Sequence, residues 1–334
     1  MPFARVNGTN LHVHAKGRGV PIVFIHPPLL TKAIFNYQTA ELSGMFRTVV
    51  FDIRGHGISA PSEQPLTYPL IAEDTVRLMD HLDIEKAFIC GYSTGGSVAL
   101  EAMLSYPGRF YGGIVLSGMP EAGDPILRAR IGIAAAMCRM NAGRLLALAI
   151  CFGNADSGTT FANLHREAAR GNSVNWEQYY RCSLEYNCTA RLKQLRLPVL
   201  LVFGEKDRGF HRYAGILKRE LPDCRLVIVP GAHHQLPTKA GAAVSEAIRA
   251  FVLERQAGAD AAAGEREKSS RERNGKAGPK AMSNRSLHCS ASRTKKALPE
   301  RKRSADASAP FPPSMVWEAA RFCVKITARR ETRG

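Results

Sequence analysis

The chain lacks any long uncharged run of apolar residues. A membrane-spanning helix needs about 20 consecutive apolar residues, whereas the longest apolar stretch here covers residues 145–152. We therefore expect no membrane association. A basic segment followed by an apolar one, which marks a secretory signal, is also missing before a predicted first hairpin at residues 4–14. We expect no signal peptide.

Paired cysteines are missing as well, although the chain contains 8 cysteines. They are scattered, none forms a C-x-x-C pair, and no spacing with histidine is typical of a zinc site. Unpaired, scattered cysteines indicate reduced thiols, which are typical of a cytoplasmic protein. We therefore expect a cytoplasmic location, no metal and no cofactor.

Hydrophobic periodicity is scarce in residues 256–334. This segment is rich in Ala, Ser, Gly, Arg and Lys, and it carries more than half of the formal net charge of +17. Such a composition does not bury enough apolar surface to fold, so we predict a disordered basic tail. Its basic clusters at 295–296 and 301–303 leave contact with nucleic acid open for the tail. We expect no nucleic-acid binding by the rest of the chain.

Strand-like and helix-like runs alternate through most of the remaining sequence. This alternation predicts an α/β fold with a doubly wound, mainly parallel sheet. The alternation stops between residues 119 and 197, where the pattern is helical. We therefore divide the core into a first part at 1–118 and a second part at 198–255, separated by a helical block at 119–197.

A five-residue motif, G-Y-S-T-G at residues 91–95, lies between a strand-like run at 87–90 and a helix-like run at 96–104. A serine with glycine two residues away on each side is typical of the nucleophile elbow, a tight strand-to-helix turn. Glycine removes the Cβ atoms that would collide in such a turn. We predict that Ser93 is a nucleophile and that the backbone N–H of Thr94 stabilises an oxyanion.

A nucleophilic serine needs a histidine base and an acid that orients the histidine, and after this elbow the acid comes first in the chain. Two predicted strands, at residues 199–203 and 225–229, lead into Asp207 and His234. Ligand sites form beyond the carboxyl ends of parallel strands, so we predict Asp207 as the acid and His234 as the base. The sequence leaves two other acids and one other base open, namely Glu205, Asp124 and His233.

Together these motifs resemble the α/β-hydrolase superfamily in its compact bacterial esterase and haloperoxidase-like form. The resemblance covers roughly residues 3–254 and includes the family's D-x-R-G-H-G-x-S pattern at residues 52–59. It implies that residues 119–197 form a helical cap, inserted between the sixth and seventh strands, over Ser93. It also implies a structural rather than a catalytic role for His56.

The loop expected to complete the oxyanion site departs from the family pattern. Relatives have His-Gly-x there, and the residue after the glycine donates its N–H. Here the run is H-P-P-L at residues 26–29, and Pro28 has no N–H to donate. We predict Leu29 as the replacement donor. We expect four residues to form pocket walls, namely His26, Tyr92, Met137 and Trp176.

The resemblance implies a serine hydrolase that cleaves a small, mostly apolar ester or related acyl compound through an acyl-enzyme on Ser93. A serine rather than an aspartate at this position argues against epoxide hydrolase and haloalkane dehalogenase chemistry. Two other functions stay open. One is a triad-bearing small-molecule receptor with little turnover, which the Pro28 loop favours, and the other is a cofactor-free perhydrolase.

Overall fold

The structure is a computed structural model that describes residues 2–275, with side chains as far as residue 258. Within this part of the chain, eight strands form one sheet in the order β1-β2-β4-β3-β5-β6-β7-β8. The strands are β1 (Phe3–Val6), β2 (Thr9–Lys16), β3 (Pro21–Ile25), β4 (Arg47–Phe51), β5 (Ala87–Tyr92), β6 (Phe110–Leu116), β7 (Val199–Gly204) and β8 (Cys224–Val229).

The strand directions bring several carboxyl ends to one edge of the sheet. β1 pairs antiparallel with β2, and β2 with β4, while all the other pairs are parallel. Ile25 at the end of β3 pairs with Gly91 of β5, and Gly204 at the end of β7 pairs with Val229 of β8. The loops after β3, β5, β7 and β8 therefore leave the sheet from the same side.

Helices connect the parallel strands. They are α1 (Asn36–Leu42), α2 (Tyr68–His81), α3 (Thr94–Ser105), α4 (Pro125–Arg139), α5 (Gly143–Asn154), α6 (Gly158–Ala168), α7 (Ser173–Glu185), α8 (His211–Glu220), α9 (Leu236–Lys239) and α10 (Gly241–Gly275). Short 3-10 helices occupy Lys32–Phe35, Pro107–Arg109 and Thr189–Gln194.

Both faces of the sheet are buried, which explains the continuous apolar runs of its central strands. Alternate residues of β3 and β5 enter different clusters. Phe24 and Cys90 pack on one face, and Val23 and Ile89 pack on the other. The prediction of an α/β fold with a mainly parallel sheet is confirmed.

Four helices, α4 to α7, lie between the sixth and seventh strands, where the helical block was predicted. The last helix, α10, continues past residue 255 to Gly275, so the first part of the predicted tail is helical. Its composition of Ala, Glu, Arg and Lys favours a helix. The rest of the predicted tail, residues 276–334, lies outside the described residues. Across the described range, no helix is long and apolar enough to cross a membrane.

Candidate active site

The predicted elbow is present between β5 and α3. Ser93 has φ 54° and ψ −122°, a strained backbone conformation of the kind that concentrates at functional sites. A Cβ on Gly91 would lie 2.1 Å from the carbonyl oxygen of Gly95, and a Cβ on Gly95 would lie 2.2 Å from that of Ile25. Only glycine fits at both positions, so these two residues allow the turn to close tightly against the end of β3.

Three predicted side chains converge beyond the carboxyl ends of β5, β7 and β8. His234 Nε2 lies 3.0 Å from Ser93 Oγ. His234 Nδ1 lies 2.8 Å from Asp207 Oδ2. Asp207 is buried and His234 is half-buried, so the acid lies on the protein side of the imidazole and the serine on the cavity side. This geometry allows proton transfer from the serine hydroxyl to the imidazole.

The alternative acids and base lie elsewhere. Glu205 accepts a hydrogen bond from the N–H of Gly231, and Asp124 caps the start of α4 by accepting one from Leu127. His233 is exposed. The structure therefore brings His234 into contact with Ser93 and Asp207 into contact with His234, whereas these three residues contact neither Ser93 nor His234 in this way.

A cavity of about 260 Å³ opens at Ser93. Its volume lies just below the range usual for drug-sized ligands, so it suits a small compound. None of the described residues that line it is charged. Most lining residues are apolar; they are Pro27, Pro28, Leu30, Tyr92, Ser93, Thr94, Met119, Leu127, Ile131, Ile150, Asn154, Tyr180, Phe210 and His234.

The sequence profile of the alpha/beta hydrolase family matches residues 22–247. The chain belongs to this family. The match begins at the second residue of β3, extends past β8 and includes all three residues of the Ser93, His234 and Asp207 arrangement. The resemblance inferred from the elbow and the D-x-R-G-H-G-x-S pattern is thereby confirmed.

Named members of the family include hydrolases of several kinds. 2-(Acetamidomethylene)succinate hydrolase of Mesorhizobium japonicum is 26% identical over 260 residues, which cover 72% of this chain and 91% of that protein. Carboxylesterase YbfK of Bacillus subtilis is 26% identical over 253 residues, which cover 72% and 83% of the two chains. The enol-lactonase structure from Burkholderia xenovorans covers 75% of this chain and 100% of its own, with a TM-score of 0.67 and 22% identity. That structural likeness shows the fold alone.

The loop after β3 differs from the usual hydrolase loop at the proline pair. Pro28 and Leu29 form the centre of a turn, and Leu29 has φ 64°. A proline followed by a residue with positive φ is the pattern of a type II turn. The side chain of Leu29 is buried away from the cavity, and only its backbone N–H remains as a donor in this turn.

Hydrogen bonds between side chains and backbone atoms fix this loop around His26. His26 Nδ1 donates to the carbonyl oxygen of Pro27 at 2.9 Å, and Nε2 accepts from the N–H of Ile53 at 2.9 Å. One nitrogen must carry a proton and the other must not, so these partners hold the neutral imidazole. The phenol of Tyr179 donates to the carbonyl oxygen of His26 at 3.0 Å. His26 therefore supports the loop from behind and is not among the cavity-lining residues.

Two other expected pocket walls lie outside the cavity lining. Trp176, on α7, is buried against the start of α5, and a Cβ on Gly143 or on Gly171 would collide with its indole ring. Met137 packs against the core from α4. Of the four expected wall residues, only Tyr92 lines the cavity.

Sequence reasoning missed two neighbours of the predicted base and nucleophile. The ring of Phe210 lies 4.2 Å from that of His234, measured between centroids, and Asn154 accepts a hydrogen bond from Tyr92. Phe210 follows Asp207 by three residues, so its place in the same loop was a usable signal. Asn154 ends α5, and nothing in its local sequence points to a site. Among the side chains that the structure describes, up to residue 258, no group of His, Cys, Asp or Glu is arranged to hold a metal ion.

Replacing His26 should make the protein's stability less sensitive to acid. Burial lowers the pKa of His26 from 6.5 to about 4. Between these values the unfolded chain binds the proton and the folded chain does not, so the free energy of unfolding falls as the pH falls from 6.5 to 4. His26→Gln should lower stability near neutral pH and show a shallower decline through this window, measured by urea unfolding.

His14→Gln, at an exposed position on β2, provides the control and should decline with the wild-type slope. His56 adds to the slope in both variants, because burial lowers its pKa to about 3. An unchanged slope in His26→Gln would contradict a buried, neutral imidazole at position 26.

Proposed function

We propose that this hydrolase cleaves small, mostly apolar esters or related acyl compounds through an acyl-enzyme on Ser93. The observation that carries the proposal is the 3.0 Å contact between Ser93 Oγ and His234 Nε2, with Asp207 behind the imidazole at 2.8 Å. This arrangement has the order and spacing that an activated serine requires.

The first half of the proposed reaction forms the acyl-enzyme. His234 Nε2 takes the proton from Ser93 Oγ as the oxygen bonds to the substrate carbonyl carbon. Asp207 holds the Nδ1–H tautomer and stabilises the imidazolium that forms. The tetrahedral intermediate then expels the alcohol, which takes the proton from His234. In the second half, His234 takes a proton from water, the resulting hydroxide attacks the acyl carbon, and the acid leaves as Ser93 recovers its proton.

Two backbone N–H groups are the proposed oxyanion donors. Thr94 is the first residue of α3, and the first N–H groups of a helix have no intrahelical partner. The turn at Pro28 and Leu29 supplies the second donor through the N–H of Leu29. Gly95 packs against the carbonyl oxygen of Ile25, so the elbow and this loop are close enough to share one oxyanion.

We also propose that residues 119–197 act as a cap. Leu127 and Ile131 of α4, and Ile150 of α5, line the cavity that contains Ser93. An apolar cover of this kind excludes water and strengthens the electrostatic contacts inside. Enzymes named carboxylesterase and hydrolase among the relatives fit this ester chemistry. The cytoplasmic location and the absence of nucleic-acid binding by the core stay predictions.

A small-molecule receptor with little turnover is the second candidate. Pro28 favours it, because a loop whose Leu29 N–H did not reach the oxyanion would lack one donor, and such a loss typically lowers turnover about 100- to 1000-fold. Such a protein would acylate Ser93 and then stall. A perhydrolase would use the same three side chains, with hydrogen peroxide in place of water.

Multiple turnover of p-nitrophenyl butyrate by the full-length wild-type protein tests the proposal. We expect linear release of p-nitrophenolate far beyond one equivalent, together with a butyryl adduct on the peptide that contains Ser93 in acid-quenched samples. The adduct should be found by peptide mass spectrometry.

A burst of one equivalent followed by no further release would instead support the receptor. Faster consumption of the acyl group with peroxide than with water would support the perhydrolase. Release without any adduct on Ser93 would contradict the acyl-enzyme.

A further inference from the structure

One polar pair lies in the mostly apolar cavity wall beside Ser93. The phenol of Tyr92 donates to Asn154 Oδ1 at 3.0 Å, and both residues line the cavity. Tyr92 is 2% exposed and Asn154 is 8% exposed, so bulk water does not replace the contacts that these groups make. A compound bound in the cavity, rather than bulk water, would therefore form the remaining hydrogen bonds of this pair.

The pair has acceptor capacity and one donor to spare. A phenol donates one hydrogen bond and can also accept, and the Tyr92 proton is used on Asn154. The Asn154 amide has two hydrogens, one of which goes to the carbonyl oxygen of Ile150 at 2.9 Å. The second hydrogen has no partner in the part of the chain that the structure describes. An unoccupied donor beside an unoccupied acceptor is complementary to a hydroxyl or a secondary amide.

Fixed contacts hold the pair in place. Thr238 donates to the carbonyl oxygen of Asn154, which ties the end of α5 to α9. The ring of Tyr92 lies 5.5 Å from that of His234, measured between centroids. Tyr92 also directly precedes the nucleophile in the chain. The pair is therefore positioned within a few atoms of a carbonyl group bound at Ser93.

The charge of the site narrows the class of ligand. No lysine or arginine of the described chain lines the cavity, and an unpaired carboxylate would lose its hydration there without compensation. Burial raises the pKa of Tyr92, so the phenol itself stays neutral. The site suits an uncharged substituent.

We propose that Tyr92 and Asn154 form a specificity subsite that binds a neutral hydroxyl or secondary amide group of the substrate. This inference rests on the proposed hydrolase function and names its substrate class: small uncharged acyl compounds with one hydrogen-bonding substituent near the scissile carbonyl. Hydrolases whose substrates carry carboxylates would need a cation that this cavity does not offer.

Two pairs of esters test the subsite from both sides of the scissile bond. The first pair is p-nitrophenyl butyrate and p-nitrophenyl 3-hydroxybutyrate, and the second is methyl butyrate and 2-hydroxyethyl butyrate. We expect the wild-type protein to prefer the hydroxylated member of at least one pair by about tenfold or more in kcat/KM. Tyr92→Phe and Asn154→Leu should each bring that ratio close to one.

Tyr68→Phe is the matched control. Tyr68 is also buried and donates from its phenol to Ser183 at 2.8 Å, but it does not line the cavity. This variant should keep the wild-type ratio. Equal ratios in wild type and Tyr92→Phe, or no preference in either pair, would overturn the subsite while ester hydrolysis stands. If none of the four esters were hydrolysed, the proposed ester cleavage and the subsite would be overturned together.

Discussion

Hydrolysis of p-nitrophenyl butyrate by the Ser93→Ala variant is expected to fall by roughly 10⁴-fold or more. Removing the serine of a triad leaves only the binding and oxyanion contacts, and losses of this order or larger follow. The methyl group of alanine preserves the Cβ that the strained turn already accommodates at φ 54°, so folding should be unaffected. Initial rates and the thermal unfolding midpoint of the same preparation would test both statements.

Ser117→Ala offers a closely matched control for this loss. Ser117 is also buried, also has a positive φ of 44°, and follows β6, the strand next to β5. Its hydroxyl has no hydrogen-bond partner among the described residues. The rate of this variant should stay within about twofold of wild type, because Ser117 does not line the cavity that contains Ser93. Equal rates for Ser93→Ala and wild type would overturn the nucleophile.

The three residues that meet at the elbow were predictable because each lies within five residues of the carboxyl end of a strand. Parallel strands share one carboxyl edge, so the chain positions of Ser93, Asp207 and His234 specify their neighbourhood before any packing is known. The glycines at 91 and 95 meet a local steric requirement of the turn, and this requirement can be recognised from the sequence. The positions of these three residues could therefore be predicted from local sequence patterns.

The cavity walls depend on how helices pack, which local sequence does not specify. Ile131 lines the cavity from α4, whereas Met137 lies almost two turns further along the same helix, about 9 Å away at 1.5 Å per residue. Both side chains are apolar, so hydropathy does not separate them. Trp176 was expected at the substrate, but its large ring instead fills the space left by Gly143 and Gly171. Asn154 became part of the wall only through the placement of α5 over Tyr92.

The length of the terminal helix was also not predicted from hydrophobic periodicity. Loss of hydrophobic periodicity after residue 255 ended the predicted core there, yet α10 runs to Gly275. Hydrophobic periodicity reports burial, whereas helix formation by Ala-rich and Glu-rich sequence does not require it. A helix can therefore continue beyond the last residue that it contributes to the core.

Asp207→Asn should lower kcat by about 10⁴-fold, the size of the loss when a triad aspartate becomes asparagine. The asparagine amide would present a donor to His234 Nδ1, which now lies 2.8 Å from a carboxylate oxygen. The imidazole would then carry its proton on Nε2, the atom that must accept the proton of Ser93. KM should change little, because Asp207 does not line the cavity.

Glu205→Gln and Asp124→Asn, the same change at the other two candidate acids, separate this role from a general loss of negative charge. Glutamine can still accept from the N–H of Gly231, as Glu205 does. Asparagine can still cap α4 through Leu127, as Asp124 does. Both variants should therefore keep kcat within a fewfold of wild type. A large loss in either one, with Asp207→Asn active, would transfer the acid role to that residue, because only the acid that orients His234 controls its tautomer.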